Sequence, residues 1–332
     1  MKSHGWDTPP VTSNREKKSP IPEDSIDRLH AEPGFDESTA EHQNLVSEFG
    51  FRYRSLLGEL LYTYVTCRLD VGYALVLLSK YSHAPGRLHF RLLKDCAKYL
   101  RDTRHWGLQF YRPSPRSDLP PSNFAHLHED PTLPVFPGID SPFTLEAYVD
   151  AAHANDLKTR RSTTGYAIHL CGAAVAYRTK TQSVTATSST EAEFIAAVST
   201  AKTVKYLRSV LYELGFKQHA PTIIREDNAS AINMVNAPSP TERSRHIDIQ
   251  HFAIQDWKRS KQIILQHIPG ILNPADDLTK PLGWVLHSRH CRRNMGHFLP
   301  AYCAASTGCD PALSGSGEGV VLGTIAPDRE SH

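Results

Sequence analysis

Apolar residues recur at intervals of three and four positions in three successive runs between residues 53 and 100. The runs are Leu56, Leu57, Leu60, Leu61 and Tyr64, then Val71, Leu75 and Leu78, then Leu88, Leu92, Cys96 and Leu100. This spacing is typical of helices that bury one face, and Pro85-Gly86 marks a break before the third run. We therefore predict a small helical unit over residues 46–111, with order beginning near Tyr53 and an extended piece at 106–111.

A different period begins after residue 143. Residues 145–150 alternate between apolar and polar side chains, the period of a strand that buries one face and ends at Asp150. The pattern predicts further strands at 164–170, 173–178, 222–226 and 262–268, and helical segments at 189–214, 229–236, 246–258 and 274–280. The order predicts an α/β domain over residues 143–283, whose mixed five-stranded sheet has flanking helices, an antiparallel hairpin edge and parallel crossovers.

Three other stretches lack such periods. Residues 1–45 contain few large apolar residues among Pro, Ser, Glu, Asp and Lys, which predicts disorder. Residues 112–142 contain eight prolines and indicate a linker between two units without a continuous core. Residues 284–332 begin with a basic piece at 289–293 and become rich in Gly, Ser and Ala, which predicts a basic and then disordered tail.

Composition restricts the function classes. With 332 residues, 40% hydrophobic and 22% charged, the chain is typical of a soluble globular protein. It has no apolar run near the roughly 20 residues of a membrane helix and no secretory signal, so we expect an intracellular protein, cytoplasmic or nuclear, with no membrane partner. The six cysteines show no paired metal-ligand spacing and are expected to be reduced. Because the net charge is only +2, nucleic-acid binding would need local basic clusters.

Four acids lie at ends of the predicted strands and helices: Asp150, Glu193, Asp227 and Asp276. Each has an ordinary explanation, as a strand-end acid, an exposed helix acid, a helix N-cap and an acid that complements a helix dipole, respectively. Ser188 and Glu191 fit a capping box, which leaves Glu193 without a local partner. Asp277 competes with Asp276 for any role. Together the four acids suggest a cage for two divalent metal ions such as Mg²⁺, which prefer oxygen ligands.

Several segments resemble the C-terminal part of the Ty1/copia-type retrotransposon Pol polyprotein. Residues 53–62 (YRSLLGELLY) and 99–103 (YLRDT) resemble the end of its reverse transcriptase, beyond the palm. Six segments resemble its ribonuclease H domain: 150–156 (DAAHAND), 161–166 (RSTTGY), 188–193 (SSTEAE), 226–228 (EDN), 246–249 (HIDI) and 275–282 (ADDLTKPL). Each motif alone is weak, but six in this order are specific.

The resemblance implies a ribonuclease H-like fold, preceded by a helical unit like a polymerase thumb or connection. It implies that Asp150, Glu193, Asp227 and Asp276 bind two Mg²⁺ ions, with Mn²⁺ able to substitute, and hydrolyse the RNA strand of RNA–DNA hybrids. The rest of a Pol polyprotein is then an expected partner. Ala152 stands where the family often has another acid, which is not one of the four ligands, so its loss should be tolerable. No Tyr-x-Asp-Asp occurs, so we expect no DNA polymerisation by this chain alone. The alternative is a non-catalytic nucleic-acid-binding or assembly remnant of a decayed element.

Basic residues near the predicted strand ends are candidates for phosphate contacts that do not read sequence. They are Lys158, Arg160, Arg161, Arg178, Lys180, Arg243 and Arg245. The alternative for each is a solvated rim position. Recognition of RNA requires contacts with 2′-hydroxyls, for which Asn228 and the backbone near Ala151 are the candidates.

Overall fold

The computed structural model describes residues 18–110, 134, 143–237 and 248–297. Most of the proline-rich segment, the glycine- and serine-rich end of the chain, and both Arg243 and Arg245 lie outside these residues. The predictions made for them remain predictions.

The N-terminal part is a helical unit built around the three predicted helices. Its helices are α1 (Ser25–Ala31), α2 (Ala40–Phe49), α3 (Tyr53–Thr66), α4 (Gly72–Ser79) and α5 (Arg87–Asp102). The last three confirm the apolar periodicity, and a 3-10 turn (Leu69–Val71) joins α3 to α4. The side chains of Tyr53, Leu75 and Phe90 are almost completely buried between them.

The prediction of disorder up to residue 45 is wrong for residues 18–45. Thr39 caps α2 by accepting a hydrogen bond from the backbone N–H of His42, and Gly50 ends it in the left-handed conformation. Ile21, Leu29 and Leu45 are buried in the core of the helical unit. The segment has few apolar residues, but those it has are buried by α3–α5, a tertiary contribution that local composition does not contain.

Five strands form one mixed sheet, as predicted. They are β1 (Glu146–Ala152), β2 (Thr163–Leu170), β3 (Ala173–Thr181), β4 (Thr222–Glu226) and β5 (Ile263–His267). Their order across the sheet is β3-β2-β1-β4-β5, with antiparallel pairing among β1, β2 and β3 and parallel pairing of β4 with β1 and β5. This is a ribonuclease H-like α/β architecture, and it places β1 at the centre of the sheet.

The remaining helices flank this sheet: α6 (Ser189–Glu213), α7 (Ala229–Asn236), α8 (Asp248–Arg259) and α9 (Trp284–Met295). The first three cover a core that includes Val149, Phe194, Ile224 and Ile254. Between β5 and α9 lies a 3-10 helix, Pro274–Leu278, called the aspartate turn below. It corresponds to the predicted last helical turn.

The basic segment after residue 283 is part of the folded domain, which corrects the prediction of a tail for residues 284–297. Helix α9 buries Cys291 and Met295. Its buried Arg293 donates through Nη2 to Glu146 Oε2 at 3.1 Å and to the Tyr148 hydroxyl at 2.9 Å. A basic residue can be buried here because a carboxylate of the central strand compensates its charge.

The helical unit and the sheet share a core, contrary to the expectation of two units without a continuous core. Ala167, Ala174, Leu278, Cys291 and Met295 are buried in the same cluster as the side chains of α3–α5. The linker composition predicted a boundary in the sequence, but it contains no information on whether the flanking units pack together.

Candidate metal and nucleic-acid site

Asp150 lies near the end of the central strand β1 and is 3% exposed. It is paired with Gly165 of β2. Thr279 Oγ1 donates a hydrogen bond to Asp150 Oδ2. A Cβ atom at residue 165 would lie 2.5 Å from Thr279 Cγ2, so glycine is required for this close approach. Thr279, which directly follows the aspartate turn, therefore packs against Asp150.

Glu193 comes from the start of α6, as the capping pattern predicted. Ser188 Oγ accepts from the backbone N–H of Glu191 at 3.2 Å, and Glu191 Oε2 accepts from that of Thr187 at 2.8 Å. The cap therefore occupies Glu191. Glu193 is buried, and its Oε2 has no hydrogen-bond donor among the described residues.

Asp227 follows β4 directly and is partly buried. The role of helix N-cap belongs to its neighbour Asn228, whose Oδ1 accepts from the backbone N–H of Ala231 at 3.1 Å. Asp227 is therefore available for the site. Carboxylate oxygens of Asp150, Glu193 and Asp227 all lie within 4.8 Å of one another.

Asp276 lies in the aspartate turn, beside this group of three. Asn273 attaches the turn to β1, because its Nδ2 donates to the carbonyl of Val149 at 2.8 Å. Lys280 Nζ is 3.0 Å from Asp276 Oδ1 and 3.9 Å from Asp150 Oδ2. Lys280 thus links the fourth acid to Asp150.

Burial makes the charged forms of these carboxyls unfavourable. Desolvation, followed by repulsion from Glu226, Asp150 and Asp227, raises the pKa of Glu193 to about 11. Desolvation and the Asp150 charge raise the pKa of Asp276 to about 7, against the opposing effect of Lys280. The same two causes raise the pKa of Asp227. Ionising all of these carboxyls together would therefore place more negative charge in the site than its own side chains compensate.

Three known proteins are similar in sequence to this chain over most of its length. It is 31% identical over 228 residues to the retrovirus-related Pol polyprotein from transposon TNT 1-94 of Nicotiana tabacum, an alignment that covers 69% of the chain and 15% of the polyprotein. The Pol polyproteins from transposons RE1 and RE2 of Arabidopsis thaliana are each 30% identical, covering 69% and 73% of the chain and 14% and 15% of their own lengths. The chain belongs to the retrovirus-related Pol polyproteins of Ty1/copia-type transposons. This Pol segment therefore spans about 15% of the length of these relatives.

No family model matches the chain. Among solved structures, the LC11 ribonuclease H1 in complex with an RNA/DNA hybrid is 14% identical, covers 41% of this chain and 94% of its own, and has a TM-score of 0.33. Ribonuclease H1 from Halobacterium salinarum NRC-1 is 17% identical, with coverage of 41% and 94% and a TM-score of 0.29. The strand order β3-β2-β1-β4-β5 with its mixed pairing defines the fold of this chain independently of these structures.

Two charged residues of the site, Glu226 and Lys280, were not predicted from the sequence. Glu226 is completely buried; its Oε1 accepts from the backbone N–H of Asn228 at 3.0 Å, and its Oε2 has no donor among the described residues. The alternation of β4, with Thr222 and Ile224 buried, could have placed Glu226 on the inner face. Lys280 follows Asp276 by four residues, but no periodicity of the sequence singles it out.

The candidate phosphate-contacting residues within the described part of the Pol segment are exposed. Lys158, Arg160 and Arg161 lie in the loop after β1, and Arg178 and Lys180 lie on β3. Lys180 pairs with Thr164, which in turn pairs with Ala151 beside Asp150. This register sets β3 two strands away from the acidic site.

No described helix is long and apolar enough for a membrane crossing.

Proposed function

We propose that this chain is a metal-dependent endonuclease that hydrolyses the RNA strand of RNA–DNA hybrids. The observation that carries the proposal is the convergence of Asp150, Glu193 and Asp227, with carboxylate oxygens within 4.8 Å of one another. Membership of the Pol polyprotein family supports the same function. The aligned part of this chain covers 15% of the TNT 1-94 polyprotein.

The donor set fits hard divalent cations. All the candidate ligands are carboxylate oxygens, which Mg²⁺ and Mn²⁺ prefer. Glu193 Oε2 and Glu226 Oε2 are buried without a donor among the described residues, and a buried acceptor without a partner costs free energy. Asp150, Glu193, Asp227 and Asp276 would hold two such ions, which supply an activated water and stabilisation of the leaving oxygen.

The residues of the chain would perform three tasks around those ions. The four carboxylates orient them, and Thr279 orients Asp150 through its hydrogen bond. Lys280, which is 41% exposed, balances the charge of Asp276 and can contact a phosphate of the substrate. The rest of a Pol polyprotein is proposed as the partner that presents the hybrid.

Substrate binding is proposed for the exposed basic residues Lys158, Arg160, Arg161, Arg178 and Lys180, together with Arg243 and Arg245 of the region outside the described residues. They would contact phosphates and contribute affinity that falls with salt. Asn228 uses Oδ1 as a helix cap, so Nδ2 is the atom that can donate to an RNA 2′-hydroxyl.

Cleavage of an end-labelled RNA–DNA hybrid in Mg²⁺ or Mn²⁺ tests the proposal. Glu193→Gln and Asp150→Asn should each reduce cleavage by at least about 100-fold, because each removes a charge from the ion-binding cluster. Glu213→Gln is the matched control, since it makes the same change at an exposed position of the same helix.

The outcomes separate the alternatives. Metal-dependent cutting of the RNA strand that the site variants lose supports the proposal. Binding of the hybrid without cutting, or equal cutting by the variants, indicates the non-catalytic binding remnant instead. Cutting of duplex DNA indicates a DNA nuclease on the same fold.

A further inference from the structure

The segment from residue 276 to 280 lies between the acidic site and the helical unit, and its side chains are divided between the two. Asp276 and Lys280 form an ion pair at 3.0 Å beside Asp150, and Thr279 donates to Asp150. Asp277 instead contacts His287 of α9, and Leu278 is buried in the core of the helical unit. The positions of Asp276, Thr279 and Lys280 therefore depend on the contacts that hold Asp277 and Leu278.

A series of buried hydrogen bonds holds Asp277 in place. His287 Nδ1 lies 2.5 Å from Asp277 Oδ1, and His287 Nε2 lies 3.0 Å from the hydroxyl of Tyr99 on α5. Tyr99 donates to Asp70 Oδ2 at 2.7 Å. Arg68 donates to both Asp70 oxygens, at 2.9 and 2.6 Å, and to the Thr103 hydroxyl and carbonyl at 2.6 and 3.1 Å. The series connects the aspartate turn to α5 entirely through buried side chains.

The number of protons on each group determines which atom donates and which accepts in these hydrogen bonds. Tyr99 has one hydroxyl proton, which it gives to Asp70, so Tyr99 can only accept from His287 Nε2. When Asp277 is ionised it likewise accepts from Nδ1, and both ring nitrogens of His287 are then donors. Every link is then a charge-assisted or buried hydrogen bond, the kind that restricts side-chain geometry most strongly.

Cys291 adjoins this series, and Asp277, His287 and Cys291 could together be considered as metal ligands. The Cys291 sulfur lies 3.8 and 3.6 Å from the two ring nitrogens of His287. Near-equal distances place the sulfur over the face of the ring, whereas a metal binds in the ring plane along a nitrogen lone pair. Both nitrogens also have hydrogen-bond partners already, so the geometry is that of a hydrogen-bonded network.

We propose that Tyr99, Asp70 and His287 are positioning residues that hold Asp277, and thereby Asp276 and Lys280, in place at the acidic site. The inference rests on the proposed function and deepens it, because it gives the helical unit a role in positioning residues of the nuclease site. Residues of α5 and of the turn before α4 act on the site through His287 of α9 and through Asp277.

Hydrogen exchange of the full chain, followed by mass spectrometry, tests this directly. Tyr99→Phe removes the hydroxyl between Asp70 and His287. Tyr53→Phe is the matched control, because it removes a buried hydroxyl of the same core, one that donates to the Leu78 carbonyl at 2.9 Å. In Tyr99→Phe, amides of residues 270–282 should exchange about 10-fold faster, since local opening of the turn becomes easier. In Tyr53→Phe they should exchange at the rate of the unaltered chain.

Kinetics on the labelled hybrid provides the second readout. We expect Tyr99→Phe to lower kcat by about 10- to 100-fold with an almost unchanged KM, and to raise the Mg²⁺ concentration for half-maximal activity, because the ligands are misplaced and hybrid contacts are not. Tyr53→Phe should change none of these. Asp277→Asn, which retains size and one acceptor oxygen, serves as the second variant if Tyr99→Phe does not fold.

Each result decides something separate. Equal exchange of residues 270–282 in the Tyr99 and Tyr53 variants overturns the inference, with or without nuclease activity. Faster exchange in the Tyr99 variant alone supports the coupling, even if the unaltered chain cuts no hybrid, and in that case only the proposed function fails. An active chain whose kcat and Mg²⁺ requirement are unaffected by Tyr99→Phe overturns the positioning role.

Discussion

The raised pKa of the Glu193 carboxyl has a consequence for the pH dependence of folding. Its pKa is raised from 4.5 to about 11 in the folded chain. Between these two values the folded state binds more protons than the unfolded state, so stability falls as pH rises. Asp276, raised from 3.8 to about 7, adds to the same trend over the lower part of that range.

The first prediction is measured by thermal unfolding in a chelator between pH 5 and pH 8. The melting temperature should fall with rising pH, and Glu193→Gln should flatten the fall because the amide cannot ionise. Mg²⁺ at pH 8 should raise the melting temperature of the unaltered chain more than that of Glu193→Gln. A melting temperature that rises with pH in the chelator would contradict the raised pKa.

Lys280 compensates part of that charge, and its removal gives the second prediction. Lys280→Met leaves Asp276 and Asp150 without their cation; since Lys280 is 41% exposed, the expected loss is about 1–2 kcal/mol, below that for a fully buried pair. Mg²⁺ should restore most of it, so its stabilising effect should be larger in Lys280→Met. Lys180→Met, at an exposed position of β3, is the control, and equal Mg²⁺ effects in both variants would refute the prediction.

At the scale of residues, the sequence predicted the four acids because each lies at the end of a periodic element. The alternation of β4 also contained the burial of Glu226, although we did not draw that conclusion from it. Lys280 is different. Its role depends on the approach of residues 278–280 to Gly165 and Asp150, from segments more than 100 residues apart, and no local pattern records such a contact.

At the scale of elements, periodicity predicted the five strands and α3–α8, because apolar residues recur in them at the spacing of a strand or a helix. It failed for α1, α2 and α9, whose stability comes from partners in other elements. In α9, His287, Arg293 and Asn294 are buried through polar contacts with the aspartate turn, β1 and β2. A charged helix whose counter-charges lie elsewhere in the chain looks like an exposed tail in the sequence.

Asn294 provides the third prediction. Its Nδ2 donates to the Pro274 carbonyl at 2.9 Å, and its Oδ1 lies 3.0 Å from His169 Nε2. Asn294→Ala leaves both partners buried and unpaired, so we expect a loss of about 2–4 kcal/mol in denaturant unfolding. Ser288→Ala, which removes a hydroxyl that donates within α9, should stay within about 0.5 kcal/mol of the unaltered chain. A small effect of Asn294→Ala would show that the Asn294 side chain does not anchor the aspartate turn.

At the scale of the whole molecule, the helical unit and the sheet form one folded body. The hydroxyl of Tyr177 on β3 donates to the carbonyl of Tyr64 on α3 at 2.7 Å, and the Tyr64 hydroxyl accepts from the backbone N–H of Thr179 at 2.9 Å. Lys80 pairs with Asp156 at 3.1 Å. Linker composition could not predict this, because packing between units depends on the complementarity of two surfaces.

The fourth prediction concerns two separate pieces, residues 18–110 and 143–297. Piece 143–297 alone should be poorly soluble, because it exposes Leu278, Cys291 and Met295 from the shared core. Co-expression with piece 18–110 should yield a soluble complex that co-purifies, since the contacts between the pieces need no covalent connection. Soluble, monomeric 143–297 with a cooperative unfolding transition would contradict the shared core.

A matched pair of variants on α3 shows whether the observed interface forms the complex. Tyr64→Ala removes a buried ring and the hydroxyl that accepts from the backbone N–H of Thr179, so it should sharply reduce recovery of piece 143–297. Tyr62→Ala, two residues away, removes a ring that is 70% exposed and should leave recovery unchanged. Equal recovery with both variants would mean that the pieces associate through another surface. In that case, the route from α5 to the acidic site would lose its structural basis.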